Sequence, residues 1–255
     1  LLLYYFCENI TSTIDLTGLT SCNLISQNMN TQAAETCIIP AAGKGTRWAP
    51  VSGYLPKEML PLIDKPVIEW VAREIISSGC KQIIVIINRQ KNIIRDYLTS
   101  NVELRKKVKL SFLIQEEPLG IAHAMFLAKD IIGKKPFVVA LPDLPTIAKI
   151  PVTKQLILNF EKSKKKSHIV SFDKFSKETS HFYGDCLLRK RNNRLLDIIH
   201  FCPKQTEPEF PHHKQNLIRM SGRFIFMPEI FKTIERLLNK KKEAEISDRT
   251  ALREA

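Results

Sequence analysis

A short apolar strand that runs straight into a loop of small residues constrains this chain more than any other stretch. Residues 35–61 read ETCIIPAAGKGTRWAPVSGYLPKEMLP. An apolar strand is predicted over 37–40, and the loop Ala41-Ala42-Gly43-Lys44-Gly45-Thr46-Arg47 follows it. A second segment then fixes a lysine between a proline and an apolar run, Pro56-Lys57-Glu58-Met59-Leu60-Pro61. In α/β proteins a strand that ends in a glycine-bearing loop is where phosphate groups sit. Glycine lets the backbone come close, and successive N–H groups in such a turn form a concave anion site. Arg47 and Lys57 add charge that can reach phosphate oxygens.

Two better-defined phosphate motifs are excluded. A P-loop needs Ser or Thr after its Gly-Lys, but Gly45 follows Lys44, and Ile38 stands where the first glycine would be. The dinucleotide fingerprint G-x-G-x-x-G fails at its third glycine, where Trp48 stands. Gly43 and Gly45 alone fit a bare turn equally well. The strand before them and the Pro-Lys-Glu-Met-Leu-Pro segment after them carry the specificity.

The first half of the chain alternates in the manner of a parallel βαβ protein, and the second half alternates less cleanly. Helical spacing is predicted over 67–78, 92–98, 120–130, 153–163 and 228–239. Strands are predicted over 81–87, 108–114, 137–141, 167–172, 183–189, 195–202 and 216–226. Ligands of open α/β sheets lie at the carboxyl ends of the strands. Gln115 stands at such an end, five residues before Gly120. A glutamine amide can both donate to and accept from a pyrimidine edge, and a glycine lets a base approach the backbone. His123 reads as an ordinary core or surface histidine. Asp143 follows the apolar strand 137–141; it suits Mg²⁺, which takes one or two carboxylates plus phosphate oxygens, with a helix or turn cap as the alternative.

Residues 41–61 resemble the nucleotide-binding signature of the sugar-1-phosphate nucleotidyltransferases. Residues 56–66, PKEMLPLIDKP, resemble the form carried by the bacterial UTP–glucose-1-phosphate uridylyltransferase branch. The resemblance spans roughly residues 36–252. It implies an α/β fold with a Rossmann-like mixed, mostly parallel sheet flanked by helices. It also implies uridylyl transfer from UTP to glucose 1-phosphate, with Mg²⁺, giving UDP-glucose and pyrophosphate. Ala41, Ala42, Gly43, Gly45 and Thr46 would then wrap the nucleotide, Arg47 and Lys57 would engage its phosphates, and Gln115 and Gly120 would recognise the base. Asp143 would hold the metal, and Tyr183-Gly184 would approach the sugar. Ser221-Gly222-Arg223-Phe224 is similar to the family's Val-Gly-Arg-Tyr strand.

The chain departs from the family at several points. Ala122 replaces a glycine. His200-Phe201-Cys202-Pro203 stands where the family carries Val-Glu-Lys-Pro, whose Glu and Lys hold the sugar hydroxyls and the sugar phosphate. Thr250 stands where the family has its second metal carboxylate. A relative that binds nucleotide without turnover is therefore one alternative. A thymidylyltransferase is another, against which the Lys-Glu-Met-Leu-Pro segment argues.

Composition bounds the remaining classes. A chain of 255 residues can bury one large α/β core. It contains no apolar run of about 18 residues, so no membrane span is expected. The six cysteines are scattered without a C-x-x-C pair, which points to a reduced cytoplasmic protein without structural zinc. The net charge of +13 raises a nucleic-acid or interaction protein as a rival. Its basic runs, such as Arg105-Lys106-Lys107 and Arg189-Lys190-Arg191, lack interleaved aromatics, and a solvated basic surface is the simpler reading. A homo-oligomer is compatible with this reading, but the sequence selects no state. Residues 1–34 are expected to be an irregular or disordered extension, with the natural start near Met29. Residues 35–255 are expected to form the nucleotidyltransferase domain, stopping short of the family's C-terminal segment.

Overall fold

Strand and helix alternate between residues 36 and 162 in the computed structural model, which describes residues 2–5, 34–45, 54–163, 167–174, 186–190, 195–201 and 218–240. The chain begins with β1 (Leu2–Tyr5) and β2 (Thr36–Pro40). A 3₁₀ turn (Lys57–Met59) and a tight hairpin, β3 (Pro61–Leu62) with β4 (Lys65–Pro66), lead into α1 (Val67–Ser77). Then come β5 (Gln82–Ile87), a 3₁₀ turn (Arg89–Lys91), α2 (Asn92–Ser100), α3 (Val102–Lys107) and β6 (Lys109–Ile114). They are followed by α4 (Gly120–Leu127), α5 (Lys129–Ile132), β7 (Phe137–Ala140) and α6 (Val152–Lys162). The second half holds β8 (Ile169–Lys174), β9 (Cys186–Lys190), β10 (Leu195–Phe201), β11 (Ile218–Phe226) and α7 (Ile230–Lys240).

Nine of these strands form one sheet in the order β6-β5-β2-β7-β11-β8-β1-β10-β9. The first four are mutually parallel. β11 runs antiparallel to both β7 and β8, and β10 antiparallel to both β1 and β9. With β8 parallel to β1, all strands but β10 and β11 share one direction, giving the mixed, mostly parallel sheet that was expected. Within the segment expected to be irregular, residues 2–5 form a strand between β8 and β10.

The parallel strands read as unbroken apolar runs because both faces of the sheet are covered. Alternate residues feed two separate cores. Cys37, Ile39, Ile83 and Val85 face the layer of α1 and α6, where Ile68, Val71 and Leu156 are buried. Ile38, Ile84, Ile86 and Phe137 face α4 and α7, where Met125, Ile230 and Ile234 are buried. At about 25 cal/mol per Å² of apolar surface removed from water, this two-sided burial is the main force holding the four parallel strands in register.

Two helices differ from expectation. The helix expected over 120–130 breaks at Ala128, whose backbone leaves the helical region (φ −91°, ψ 2°). Helix α3 was not expected. It starts because the Asn101 side chain accepts a hydrogen bond from the Leu104 N–H at 3.1 Å, a cap worth about 1 kcal/mol. Arg105, Lys106 and Lys107 occupy its last turn, where positive charge suits the helix dipole.

Candidate active site

The carboxyl ends of β6, β5, β2 and β7 deliver Gln115, Asn88, Ala41 and Leu141 side by side. The loop after β2 leaves the sheet with Ala41 N–H still donating to Ile86 O at 2.7 Å. Its next two carbonyls are then held by side chains. Lys91 Nζ donates to Ala41 O at 2.9 Å, and Asn88 Nδ2 donates to Ala42 O at 2.8 Å. Lys91 also meets both carboxylate oxygens of Glu58, at 3.0 and 2.8 Å, and both side chains are buried. Burial pushes the Lys91 ammonium below its ordinary range, and Glu58 opposes that shift. Gly43 and Lys44 are exposed, and Gly45 adopts φ 68°, a left-handed conformation that favours glycine.

The 3₁₀ turn that carries Glu58 into the core also sets Lys57 facing outward. Its Nζ lies 2.5 Å from Asp143 Oδ2, with the two side chains 18% and 33% exposed. Asp143 follows β7, so this contact bridges the Pro-Lys-Glu-Met segment and the fourth strand end. A lysine and an aspartate in contact at the mouth of this glycine-bearing loop can exchange partners: the ammonium can take an anionic oxygen and the carboxylate a cation. Asp143 suits a hard divalent ion held mainly by phosphate oxygens, a donor set that needs only one or two carboxylates from the protein. Among the described residues no cluster of three or more His, Cys, Asp or Glu side chains forms an all-protein cage.

Gln115 is buried at the end of β6, with its N–H on Ile87 O at 2.8 Å. Its Nε2 donates to Gly120 O at 3.1 Å and lies 2.9 Å from His123 Nδ1. Because Gly120 O can only accept, the amide orientation is fixed, and Nδ1 of His123 must accept as well. Burial lowers the His123 pKa, which favours the neutral ring this requires. Gly120 itself adopts φ 91°, so only glycine sits there without strain.

Beneath Asp143 lies a bulge in β11. Met220 pairs with Phe172 and Phe224 with Val170, so three residues of β11 oppose Ser171 alone. Ser171 Oγ accepts from Arg223 N at 3.2 Å and donates to Arg223 O at 3.0 Å, which repairs the interrupted ladder. Gly222 (φ 76°) accepts from Leu141 N at 2.9 Å. The fully buried Arg223 donates through Nε to Glu74 Oε2 at 3.1 Å, and Glu74 also receives the N–H and hydroxyl of Thr153.

Of the residues anticipated from sequence, the fold brings together Ala41, Ala42, Gly43, Gly45, Lys57, Gln115, Gly120 and Asp143 along four neighbouring strand ends. Thr46, Arg47, Tyr183 and Gly184 lie outside the described residues. The sequence reasoning missed Asn88, Lys91 and the inward role of Glu58. Asn88 and Lys91 follow β5 directly, so their place at a strand end beside the loop was the available signal.

The comparisons with known proteins agree with this geometry. The model of the family described as Nucleotidyl transferase matches residues 36–254. The chain is 32% identical over 217 residues to a UTP–glucose-1-phosphate uridylyltransferase of Bacillus subtilis (strain 168), spanning 78% of this chain and 72% of the relative. It is 33% identical over 218 residues to UTP–glucose-1-phosphate uridylyltransferase 1 of Staphylococcus saprophyticus, spanning 78% and 74%. Among solved structures, a UDP-glucose pyrophosphorylase complexed with UDP-glucose superposes with a TM-score of 0.74 at 28% identity, covering 86% of this chain and 85% of that one.

Proposed function

The chain belongs to the nucleotidyl transferase family, and from that premise we propose that it transfers a uridylyl group from UTP to glucose 1-phosphate, giving UDP-glucose and pyrophosphate. An oxygen of the sugar phosphate attacks the α-phosphorus of UTP in line. The bond from that phosphorus to the bridging oxygen breaks, and pyrophosphate leaves with the electron pair. Little covalent work falls to the protein, so positioning and charge neutralisation supply the rate. The observation that carries this reading is the Lys57–Asp143 pair at the mouth of the loop after β2.

In this reading Lys57 moves from Asp143 to a phosphate oxygen, and by the family resemblance Arg47 would add a second cation. Asp143 would hold Mg²⁺, which would supply neutralisation of phosphate charge. By the family resemblance, Tyr183-Gly184 would approach the sugar. The reading includes a reducing, cytoplasmic setting, supported by the free buried thiols of Cys37 and Cys80. Among the described residues no helix is long and apolar enough to cross a membrane.

The uracil preference follows from Gln115. Its Nε2 is already committed to Gly120 O and His123, which leaves Oε1, an acceptor, for the base. Uracil presents a donor at N3, whereas cytosine presents an acceptor there. Calorimetric titration should therefore show UTP binding at least about tenfold more tightly than CTP, the worth of one mispaired buried polar contact. Equal affinity for the two would remove Gln115 from base selection. Failure to bind UTP would remove the proposed function itself.

A further inference from the structure

Successive peptide groups at the start of the loop are oriented by side chains that no sequence motif singled out. A trans peptide is planar, so the N–H of one residue points opposite to the C=O of the residue before it. Ala41 O is held by Lys91 and Ala42 O by Asn88, at 2.9 and 2.8 Å. The N–H groups of Ala42 and Gly43 must therefore point away from β5's following turn. Neither donates a hydrogen bond among the described residues, although Ala42 is buried. An N–H in a buried residue that finds no acceptor among the described residues is costly unless an acceptor arrives.

We propose that Asn88 and the Lys91–Glu58 ion pair are positioning residues. They clamp the carbonyls of Ala41 and Ala42 so that the Ala42 and Gly43 amides face the acceptor oxygens of the bound nucleotide. The inference rests on the nucleotide-binding reading above and adds a device that reading did not contain. The clamp has a second output. Glu58 is the neighbour of Lys57, so the salt bridge that anchors the loop also fixes the turn that presents Lys57 to Asp143. Glu58 and Lys91 are buried, and breaking such a pair leaves an uncompensated charge. The two halves of the phosphate site are thereby set by one contact.

The test uses the full chain, labelled with ¹⁵N at alanine and glycine, with UTP as the probe. In the wild type, the Ala42 and Gly43 amide signals should move on UTP addition. Asn88→Ser keeps an oxygen that can accept from the Gln90 N–H, as Asn88 does now, but is too short to reach Ala42 O. It should weaken UTP about tenfold, the equivalent of one hydrogen bond, and leave the unliganded thermal midpoint within a few degrees. The double variant Lys91→Met/Glu58→Gln removes the other arm without stranding a charge and should weaken UTP at least as much. Asn88→Ser binding UTP as tightly as the wild type would overturn the clamp while leaving the proposed function intact. So would wild-type amide signals that stay still on saturation. A wild type that binds no UTP would overturn the function and the clamp with it.

Discussion

Lys57 carries the charge that the proposed chemistry depends on most. In the free protein its Nζ rests on Asp143 at 2.5 Å, so its removal strips the loop of a cation and leaves a carboxylate facing incoming phosphates. Lys57→Ala should weaken UTP by about ten- to a hundredfold, since hydrogen bonds to charged groups are worth about 1.5–3 kcal/mol. Calorimetry and turnover both read this, and unchanged values in both would remove Lys57 from the phosphate site. A second residue sets a pH limit on stability. Burial lowers the His168 pKa to about 4, and its Nδ1 accepts from the Met227 N–H at 3.0 Å, which needs the neutral ring. The unfolded chain takes up this proton near pH 6.5, so the contribution is complete above that value and is lost as pH falls toward 4. At about 1.4 kcal/mol per pKa unit, it is worth up to about 3 kcal/mol. Urea unfolding between pH 7 and pH 4.5 should show a smaller pH dependence in His168→Gln than in the wild type; parallel curves would contradict the assignment. Asp143 and Gln115 were legible in the sequence because they follow predicted strand ends, and Lys57 because it stands in the Pro-Lys-Glu-Met-Leu-Pro segment. Glu58 and Lys91 were not. An ion pair between residues 33 apart in the chain depends on which strands become neighbours, and no local pattern encodes that.

At the scale of elements, the β11 bulge supports the end of β7. A Cβ added at Gly222 would lie 2.7 Å from Leu144 Cδ1 and 3.2 Å from Leu141 Cβ, in a backbone held at φ 76°. Gly222→Ala should cost about 1–3 kcal/mol from the backbone conformation alone, with the steric contact adding to it. Because Leu141 and Leu144 flank Asp143, it should also displace that carboxylate. A thermal midpoint equal to the wild type would show that the bulge yields freely. The parallel strands were readable because two-sided burial imposes unbroken apolar runs such as Ile83 to Ile87. The β3–β4 hairpin was not readable. Its turn places the exposed, β-branched Ile63 at φ 60°, a conformation that hairpin signals reserve for Gly, Asn or Asp. The insertion of antiparallel β11 between β7 and β8 was equally hidden, because it joins segments far apart in the chain and leaves no local signature.

At the scale of the whole molecule, the sheet divides into two regions with different relations to the family. The parallel side, β6-β5-β2-β7, carries the residues proposed to bind the nucleotide. The opposite side holds β10, which ends at Phe201. There Phe201 and Cys202 replace the Glu and Lys that the resemblance leads one to expect for sugar and sugar phosphate. Binding of UTP and transfer to the sugar are therefore separable properties of this chain, and pyrophosphate release separates them. With UTP and Mg²⁺, release should depend on added glucose 1-phosphate and should match UDP-glucose formed, one for one. No release at high protein concentration, from a chain that still binds UTP, would contradict uridylyl transfer.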